Sequence, residues 1–224
     1  MRRVRVKICC IASLAEAKLA IEHGADAIGL VGKMPSGPGP IEDAAIAEIA
    51  AAVPPPVASF LLTSETEAAR IIAHARRCRT NTLQIVDRLA PGVYAQLRAA
   101  LPNVKLVQVV HVEGPEAIDE ARATAPEVDA ILLDSGQPHA PVKILGGTGR
   151  RHDWGISRRI VEAVERPVIL AGGLRPENVG EAIATVRPYG VDLCTGVRIE
   201  GRLDRDKIAR FVQAVWAAVP AGSA

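Results

Sequence analysis

The stretch Val168-Ile-Leu-Ala-Gly-Gly-Leu-Arg-Pro-Glu-Asn-Val179 is a short apolar run that ends on two glycines and then restarts as a helix. Its first four residues have the length and composition of a strand buried on both faces, and the Pro-Glu pair near its end is a helix-start signal. Because Gly172 and Gly173 have no Cβ, a ligand can approach their backbone N–H groups close to a helix N-terminus. This unit favours a bound phosphate. The alternative is that the two glycines only turn the chain.

Seven further apolar runs along the chain precede segments rich in Ala, Glu and Arg. With the first, the predicted strands are Val4–Cys10, Ala27–Val31, Val57–Leu62, Thr82–Val86, Lys105–Val110, Ala130–Asp134, Val168–Ala171 and Val191–Cys194. Regular alternation of strand and helix forces parallel strands joined by crossovers. Eight such units in 224 residues predict a single-domain (β/α)8 TIM barrel over residues 1–219, with a frayed tail at 220–224.

Composition excludes several classes of function. The 27 basic and 25 acidic residues are interspersed, which argues against nucleic acid as a partner. No apolar run approaches the roughly 18 residues that span a bilayer, and no signal-peptide core follows the start, so we expect a soluble, cytoplasmic protein with no membrane partner. The four cysteines lack metal-site spacing, so we expect free thiols and no structural metal.

Two strand ends carry groups that can move protons. Cys9 lies at the end of the first run, next to Cys10, and Asp134 ends the sixth, so a closed barrel places them on roughly opposite sides of its mouth. A base on one side of a small substrate and an acid on the other suit general acid–base catalysis. Cys9 can instead be an ordinary buried thiol and Asp134 can cap a turn, although a carboxylate directly after Ala-Ile-Leu-Leu is costly to bury without a role.

Two loops at the same end of the barrel are rich in glycine. The longest strand-to-helix connection, Ser135 to Trp154, contains Gly146-Gly147-Thr-Gly149 and is typical of an active-site lid, or else of a flexible insertion. The last strand leads into Gly196 and Val197. With Gly172 and Gly173, their N–H groups would form the phosphate site that barrels build after strands seven and eight.

A series of motifs runs in order along nearly the whole chain. They are Lys7-Ile-Cys9, Gly24-Ala-Asp-Ala-Ile-Gly-Leu30, Leu132-Leu-Asp134, Gly146-Gly-Thr-Gly149, Asp153-Trp154, Leu170-Ala-Gly-Gly-Leu174 with Pro176-Glu-Asn178, and Pro188-Tyr-Gly-Val-Asp192. Together they resemble the phosphoribosylanthranilate isomerase family of tryptophan biosynthesis. The resemblance implies a (β/α)8 barrel that catalyses an Amadori rearrangement of N-(5′-phosphoribosyl)anthranilate to its 1-deoxyribulose 5-phosphate product, without metal or organic cofactor.

The resemblance also implies roles for individual residues. Cys9 would be the general base that removes the ribose C2′ proton, and Asp134 the general acid that protonates the ring oxygen. Asp192 would contact the anthranilate end of the substrate, and Gly147 in the long loop is a further predicted substrate contact. A thiol ordinarily ionises near pH 8.5, so the thiolate needs positive charge nearby. Lys7, on the same strand face, can supply it, or can serve only the packing electrostatics of the barrel.

Several positions differ from the family pattern. The second loop, Ser36-Gly-Pro-Gly-Pro40, lacks the family's arginine, which pairs with the anthranilate carboxylate. The fourth strand ends Gln84-Ile-Val-Asp87 where the family has Gln-Leu-His-Gly, Cys10 replaces a glycine, and Arg198 replaces a glutamate. Lys33 or Arg198 is a candidate for the missing positive charge, or each is an ordinary surface charge.

Three functions are therefore compatible with the sequence. The first is phosphoribosylanthranilate isomerase, and the second is the same reaction on another phosphoribosyl-amine. The third is a non-catalytic protein that binds a phosphorylated sugar, although retention of both Cys9 and Asp134 argues against it. In each case the partner is a small phosphorylated sugar, and the sequence leaves monomer and homodimer open.

Overall fold

The computed structural model describes residues 3–136, 143, 145, 149 and 151–218. The predicted tail at 220–224 and the predicted contact Gly147 lie outside these residues. No helix within the described ranges combines the length and the apolarity needed to cross a membrane.

Eight parallel strands close into a barrel, which confirms the (β/α)8 fold. The strands are β1 Arg5–Ile8, β2 Ala27–Val31, β3 Ala58–Thr63, β4 Thr82–Ile85, β5 Lys105–His111, β6 Ala130–Asp134, β7 Val168–Leu170 and β8 Gly190–Leu193. Each overlaps its predicted run, because strands buried on both faces are mostly apolar. β1 pairs with β8, with Lys7 opposite Asp192. All eight carboxyl ends therefore meet at one mouth.

Helices follow the strands as predicted and cover the outside of the barrel. They are α1 Leu14–Glu22, α2 Asp43–Ala52, α3 Ala68–Cys78, α4 Val93–Ala100, α5 Ala117–Thr124, α6 Trp154–Ala163, α7 Val179–Val186 and α8 Arg205–Ala217. Ser13 caps α1 by accepting from the Glu16 N–H at 3.2 Å, and Asp153 caps α6 by accepting from the Gly155 N–H at 2.7 Å. Such side chains satisfy donors that a helix leaves open at its start.

The connection from β8 to α8 contains extra structure. A 3-10 turn at Thr195–Val197 leads into a two-stranded hairpin, formed by β9 Arg198–Ile199 and β10 Arg202–Leu203. This hairpin lies beside the barrel mouth and carries Arg198.

Along each strand, successive side chains point alternately into the barrel interior and outward toward the helices. Leu61 packs in the layer between strands and helices, while its neighbours Phe60 and Leu62 belong to a second cluster inside the barrel. Apolar aliphatic residues fill most of both layers. The interior also holds Lys7, whose Nζ lies 5.3 Å from the centroid of the Phe60 ring.

A buried histidine precedes α6. His152 is 9% exposed, its Nε2 lies 2.7 Å from Ser157 Oγ, and its Nδ1 has no hydrogen-bond partner within the described ranges. Burial lowers the pKa of His152 from 6.5 to about 4, so the folded protein holds this ring neutral.

We expect this histidine to make stability fall as the pH drops from about 6.5 to 4. In that window the unfolded chain binds a proton that the folded chain excludes, which costs up to about 1.4 kcal/mol per pH unit. Urea unfolding of wild type and of His152→Gln, measured across this range, isolates the contribution, because glutamine does not titrate. Equal slopes of unfolding free energy against pH in the two proteins would contradict it.

Candidate active site

A pocket opens at the carboxyl ends of the strands. Three of the predicted functional side chains, Cys9, Asp134 and Asp192, line it. Gly172 and Gly173 line it as well, with Leu145 and Gly149 from the long loop after β6. Lys7, Gly196 and Val197 are not among its lining residues, although Thr195, next to Gly196, is one.

Cys9 stands directly after β1, where its N–H donates to the Leu193 carbonyl at 2.8 Å. The residue is 5% exposed. A methyl group on Gly29 would lie 2.6 Å from Cys9 Sγ and 3.0 Å from Lys7 Nζ, so the glycine leaves room for thiol and ammonium side by side. This arrangement places a positive charge next to the thiol.

Lys7 is buried and paired with Asp192. Its Nζ donates to Asp192 Oδ2 at 2.8 Å. Burial alone would lower the pKa of Lys7, but the Asp192 carboxylate and the Cys9 thiolate outweigh it and raise the pKa, so the ammonium stays charged. The second oxygen, Asp192 Oδ1, is buried and has no hydrogen-bond partner among the residues that the structure describes. Since Asp192 lines the pocket, this oxygen is available to accept a hydrogen bond from a ligand.

Asp134 ends β6, where it pairs in register with His111 of β5. Its Oδ1 accepts from the Ser135 N–H at 2.7 Å. Burial raises the pKa of the Asp134 carboxyl and the Asp192 carboxylate adds to this, while the Ser135 N–H, His111 and Lys7 act against it. A carboxyl group whose pKa is raised retains its proton to higher pH, as a general acid requires.

The glycine-rich turns adopt backbone conformations that require glycine. Gly172, Gly173 and Gly149 have φ angles of 84°, 64° and 65°, in the left-handed region that L side chains rarely adopt. Gly196 packs against the turn after β7, since a Cβ there would lie 2.1 Å from the Leu174 carbonyl oxygen. The loops after β7 and β8 therefore touch at the pocket, as the phosphate-site prediction requires.

Helix α7 begins at Val179, later than the Pro-Glu signal suggests. The Asn178 side chain forms a turn ahead of it, accepting from the Arg175 N–H at 2.8 Å and donating to the Gly173 carbonyl at 3.0 Å. These bonds stabilise a non-helical turn over residues 176–178. The helix N-terminus is consequently about one turn farther along the chain from Gly173 than the sequence suggests.

The loop after β2 forms the more apolar side of the pocket. Met34 and Pro38 line it, and Met34 packs against the apolar cluster that includes Leu62, Val86 and Leu145. No described lining residue is a lysine or an arginine. This side suits an aromatic ring better than a charged group.

The long loop after β6 is tied to its neighbours. Ser36 Oγ donates to the Lys143 carbonyl at 2.7 Å, and the Lys143 ammonium pairs with the carboxylate of Asp87 after β4. Lys143, like Lys33, is an exposed cation beside the second loop. The described part of this loop thus contacts the second loop and lines the pocket through Leu145 and Gly149.

The structure corrects both interpretations of Arg198. Its side chain is only 9% exposed, so it is not a surface charge. Its guanidinium donates to Glu16 and to backbone carbonyls, so it is not free to bind a substrate carboxylate. Burial and these partners make it a structural cation.

Sequence reasoning gave no role to Gln84. It lies within β4, is 4% exposed and lines the pocket, and its Oε1 has no hydrogen-bond partner in the described part of the chain. A polar residue inside an otherwise apolar strand was the available signal. Its oxygen can accept a hydrogen bond from a ligand.

One cluster among the described residues has metal-ligand chemistry. The ligand atoms of Asp43, His74 and Cys78 lie within 4.8 Å of one another. His74 is already engaged on both ring nitrogens, by Thr63 Oγ1 at 3.0 Å and Asp43 Oδ1 at 3.1 Å. Burial raises the pKa of the Cys78 thiol to about 12, which disfavours the thiolate a metal needs.

Fold and pocket together define a class of protein. A (β/α)8 barrel with a thiol, a carboxyl group of raised pKa and glycine turns at the mouth is a barrel enzyme with its site at the carboxyl ends of the strands.

Comparison with known proteins identifies the family. The profile of "N-(5'phosphoribosyl)anthranilate (PRA) isomerase" matches residues 6–214. N-(5′-phosphoribosyl)anthranilate isomerase 2 of Methanosarcina mazei is 39% identical over 211 residues, which cover 93% of this chain and 92% of that protein. The chain belongs to the PRA isomerase family, whose members are isomerases of tryptophan biosynthesis.

Solved structures agree with this assignment. Phosphoribosyl anthranilate isomerase from Thermotoga maritima superposes with a TM-score of 0.79 at 30% identity, covering 96% of this chain and 99% of that chain. A PRA isomerase in complex with reduced 1-(o-carboxyphenylamino)-1-deoxyribulose 5-phosphate gives 0.77 at 28% identity, with coverage of 96% and 99%.

Proposed function

We propose that the chain converts N-(5′-phosphoribosyl)anthranilate to 1-(o-carboxyphenylamino)-1-deoxyribulose 5-phosphate in the cytoplasm. The observation that carries the proposal is that Cys9, Asp134 and the turn at Gly172 and Gly173 line a single pocket. The reaction needs a base, an acid and a phosphate anchor within the length of one ribose.

Asp134 begins the reaction by giving its proton to the ribose ring oxygen. The C1′–oxygen bond breaks and the aryl nitrogen supplies its electron pair, which leaves an open-chain iminium. A proton-bearing carboxyl group is required for this step, and burial raises the pKa of Asp134 accordingly.

Cys9 completes the chemistry by removing the C2′ proton as a thiolate. The iminium accepts the electrons and forms an enolamine, which becomes the ketone as C1′ gains a proton and the C2′ hydroxyl loses one. The charged Lys7 beside Cys9 stabilises the thiolate and holds Asp192 in place. A net transfer of one proton from the thiol to the Asp134 carboxylate resets the site.

The phosphate would bind the N–H groups of the turns after β7 and β8. Glycines at positions 172, 173 and 196 allow close backbone approach. Asp192 Oδ1 and Gln84 Oε1 would accept hydrogen bonds from the substrate hydroxyl and amine groups.

A second candidate function is the same rearrangement on another phosphoribosyl-amine. It is favoured by the apolar second loop, because the described lining residues include no arginine or lysine to pair with a carboxylate. In the first function Lys33, an exposed cation of the loop after β2, would supply the positive charge, since Lys143 already pairs with Asp87.

The proposal is tested by following two substrates by NMR, N-(5′-phosphoribosyl)anthranilate and N-(5′-phosphoribosyl)aniline. We expect conversion of the anthranilate compound with kcat/KM in the enzymatic range, about 10⁴ M⁻¹s⁻¹ or above, and rescue of a tryptophan auxotroph that lacks this isomerase. Equal or faster conversion of the aniline compound would favour the second candidate. Conversion of neither by folded protein would contradict both.

Replacing Pro38 by arginine should raise kcat/KM for the anthranilate substrate by about 10- to 100-fold. Pro38 lines the pocket on the second loop. A bidentate arginine–carboxylate contact contributes about 1.5–3 kcal/mol. The matched control is Pro38→Gln, which has similar length but no charge and should give no comparable gain.

The aniline substrate provides the second control for this prediction, because it has no carboxylate with which the introduced arginine could pair. The prediction would be contradicted by a wild-type kcat/KM already near 10⁵ M⁻¹s⁻¹ together with no gain from the introduced arginine. Carboxylate binding would then already be complete, and a shifted substrate preference would be wrong.

A further inference from the structure

Arg198 is buried beside the mouth of the barrel and uses its guanidinium to join three segments. Nη2 donates to the Cys10 carbonyl at 2.6 Å and, more weakly, to the Cys9 carbonyl at 3.4 Å. Nη1 donates to Glu16 Oε1 at 2.9 Å and to the Gly201 carbonyl at 2.8 Å. The first strand, the first helix and the β9–β10 hairpin therefore meet at this side chain.

Glu16 is held firmly enough to anchor the pair. Its Oε2 accepts from the Ala12 N–H at 3.0 Å, and its Oε1 accepts from the Leu203 N–H at 3.3 Å. Arg198 is fixed at its backbone too, since its carbonyl accepts from Lys207 Nζ at 2.9 Å. A charged group with this many partners positions its neighbours rather than adapting to them.

Cys10, the residue that Arg198 holds, has an unfavourable backbone. Its φ is 61°, in the left-handed region. The other non-glycine residues with positive φ in the described chain end a helix or lie in the hairpin, whereas Cys10 directly follows Cys9. A side chain with a Cβ makes this conformation costly, so something must stabilise it.

The Cys10 side chain also shapes the second loop. A Cβ on Gly39 would lie 2.7 Å from Cys10 Cβ, and Cys10 Sγ lies 3.7 Å from the Pro38 carbonyl. Cys10, Arg198 and the Gly-Pro-Gly segment are all positions where the chain departs from the family pattern. The structure brings these departures into contact.

We propose that Arg198 is a positioning residue for the reaction. By holding the Cys9 and Cys10 carbonyls it fixes the left-handed turn at Cys10, and that turn aims the Cys9 thiol into the pocket. Arg198 acts through Cys9 and does not touch the substrate. The inference rests on the proposed function for its kinetic effect, but the orientation of the thiol can be measured without it.

The test uses five variants. Arg198→Ala removes the hydrogen bonds to the Cys9 and Cys10 carbonyls. Arg198→Lys keeps a positive charge beside Glu16 but lacks the planar guanidinium that bonds several acceptors at once. The double variant Cys10→Gly/Arg198→Ala is compared with Cys10→Gly alone. Because glycine adopts the left-handed conformation at position 10 without strain, loss of the Arg198 contact should matter less in this background. Arg98→Ala is the matched control, because Arg98 similarly bonds Asp129 at 2.6 Å and the Glu127 carbonyl at 3.3 Å, but near the start of β6.

Two readouts are measured for each variant. The first is kcat and KM with the anthranilate substrate. The second is the alkylation rate of Cys9 by iodoacetamide against pH, followed by mass spectrometry of the Cys9 peptide. The alkylation rate reports the thiol directly and needs no turnover.

We expect Arg198→Ala to lower kcat by about 10- to 100-fold with KM changed less, because a small displacement of a catalytic group has that effect. The pH profile of Cys9 alkylation should change in the same variant. Arg198→Lys should lose less, and should replace the alanine variant if the latter does not fold. In the Cys10→Gly background, the factor by which Arg198→Ala lowers kcat should be smaller by about 5- to 30-fold than in the chain that keeps Cys10.

Arg98→Ala should change stability and leave both readouts within about twofold, since it lies away from the mouth. The proposal is overturned if Arg198→Ala and Arg198→Lys leave kcat and Cys9 alkylation unchanged. It is also overturned if the loss is as large in the Cys10→Gly background as in the chain that keeps Cys10. If wild type does not turn over the substrate, the proposed function fails, while Cys9 alkylation still decides the role of Arg198.

Discussion

Cys9→Ala should lower kcat by at least about 10²–10⁴-fold with little change in KM. The variant keeps the phosphate turns and the pocket walls but has no group to remove the C2′ proton, and positioned bases contribute about this factor. Steady-state kinetics with the anthranilate substrate measure the loss. An unchanged circular dichroism spectrum and melting temperature would show that the barrel is intact, as expected when a small side chain is shortened at the mouth.

The control for this result is Cys194→Ala. Cys194 lines the same pocket, and the hydrogen bond from Cys10 lowers the pKa of its thiol despite its burial, so it is the rival thiol base. We expect this variant to lose less than about tenfold. A larger loss in Cys194→Ala than in Cys9→Ala would move the role of base to Cys194.

Asp134→Asn should also lower kcat by about 10²–10⁴-fold, since an amide cannot give its proton to the ring oxygen. The shape of the side chain is nearly unchanged, so binding should persist. The measurement is kcat at saturating substrate, with substrate binding to the inactive protein measured by calorimetry.

The same substitution should not weaken the fold at neutral pH. The folded-state pKa of Asp134 is raised above its unfolded value, so stability is greatest below the unfolded pKa and decreases as the pH rises through the folded pKa. Burial of the ionisable Asp134 carboxyl therefore disfavours the folded state at neutral pH, and asparagine, which does not ionise, removes this cost. A melting temperature that falls together with kcat would mean that Asp134 is structural; an equal or higher one supports the acid.

Secondary structure was largely predictable because local physics determines it. A strand buried on both faces is mostly apolar, so β2 and β6 have the bounds that their sequences predict. Helix α7 was predicted too early, because its start depends on the Asn178 side chain, whose bonds to the Arg175 N–H and the Gly173 carbonyl hold residues 176–178 in a turn ahead of the helix.

From the sequence, only those site residues could be predicted that lie at or near the ends of the predicted strands. Cys9, Asp134 and Asp192 follow or end apolar runs, and the barrel topology brings them together. Arg198 was misjudged because its partners are far away in sequence: Cys10 lies 188 residues earlier and Glu16 182. An arginine among other charged residues has no local signal that distinguishes a buried pair from an exposed one.

The ion pair between Lys7 and Asp192 joins strand β1 to strand β8 across 185 residues of sequence. During synthesis the first strand therefore emerges long before the partner that closes the barrel beside it. Until β8 arrives, β1 has an open edge, and the charge of Lys7 lacks the carboxylate that compensates its burial. The base side of the active site consequently assembles among the last steps of folding. A nascent chain released before residue 192 would carry the cysteine without the site around it.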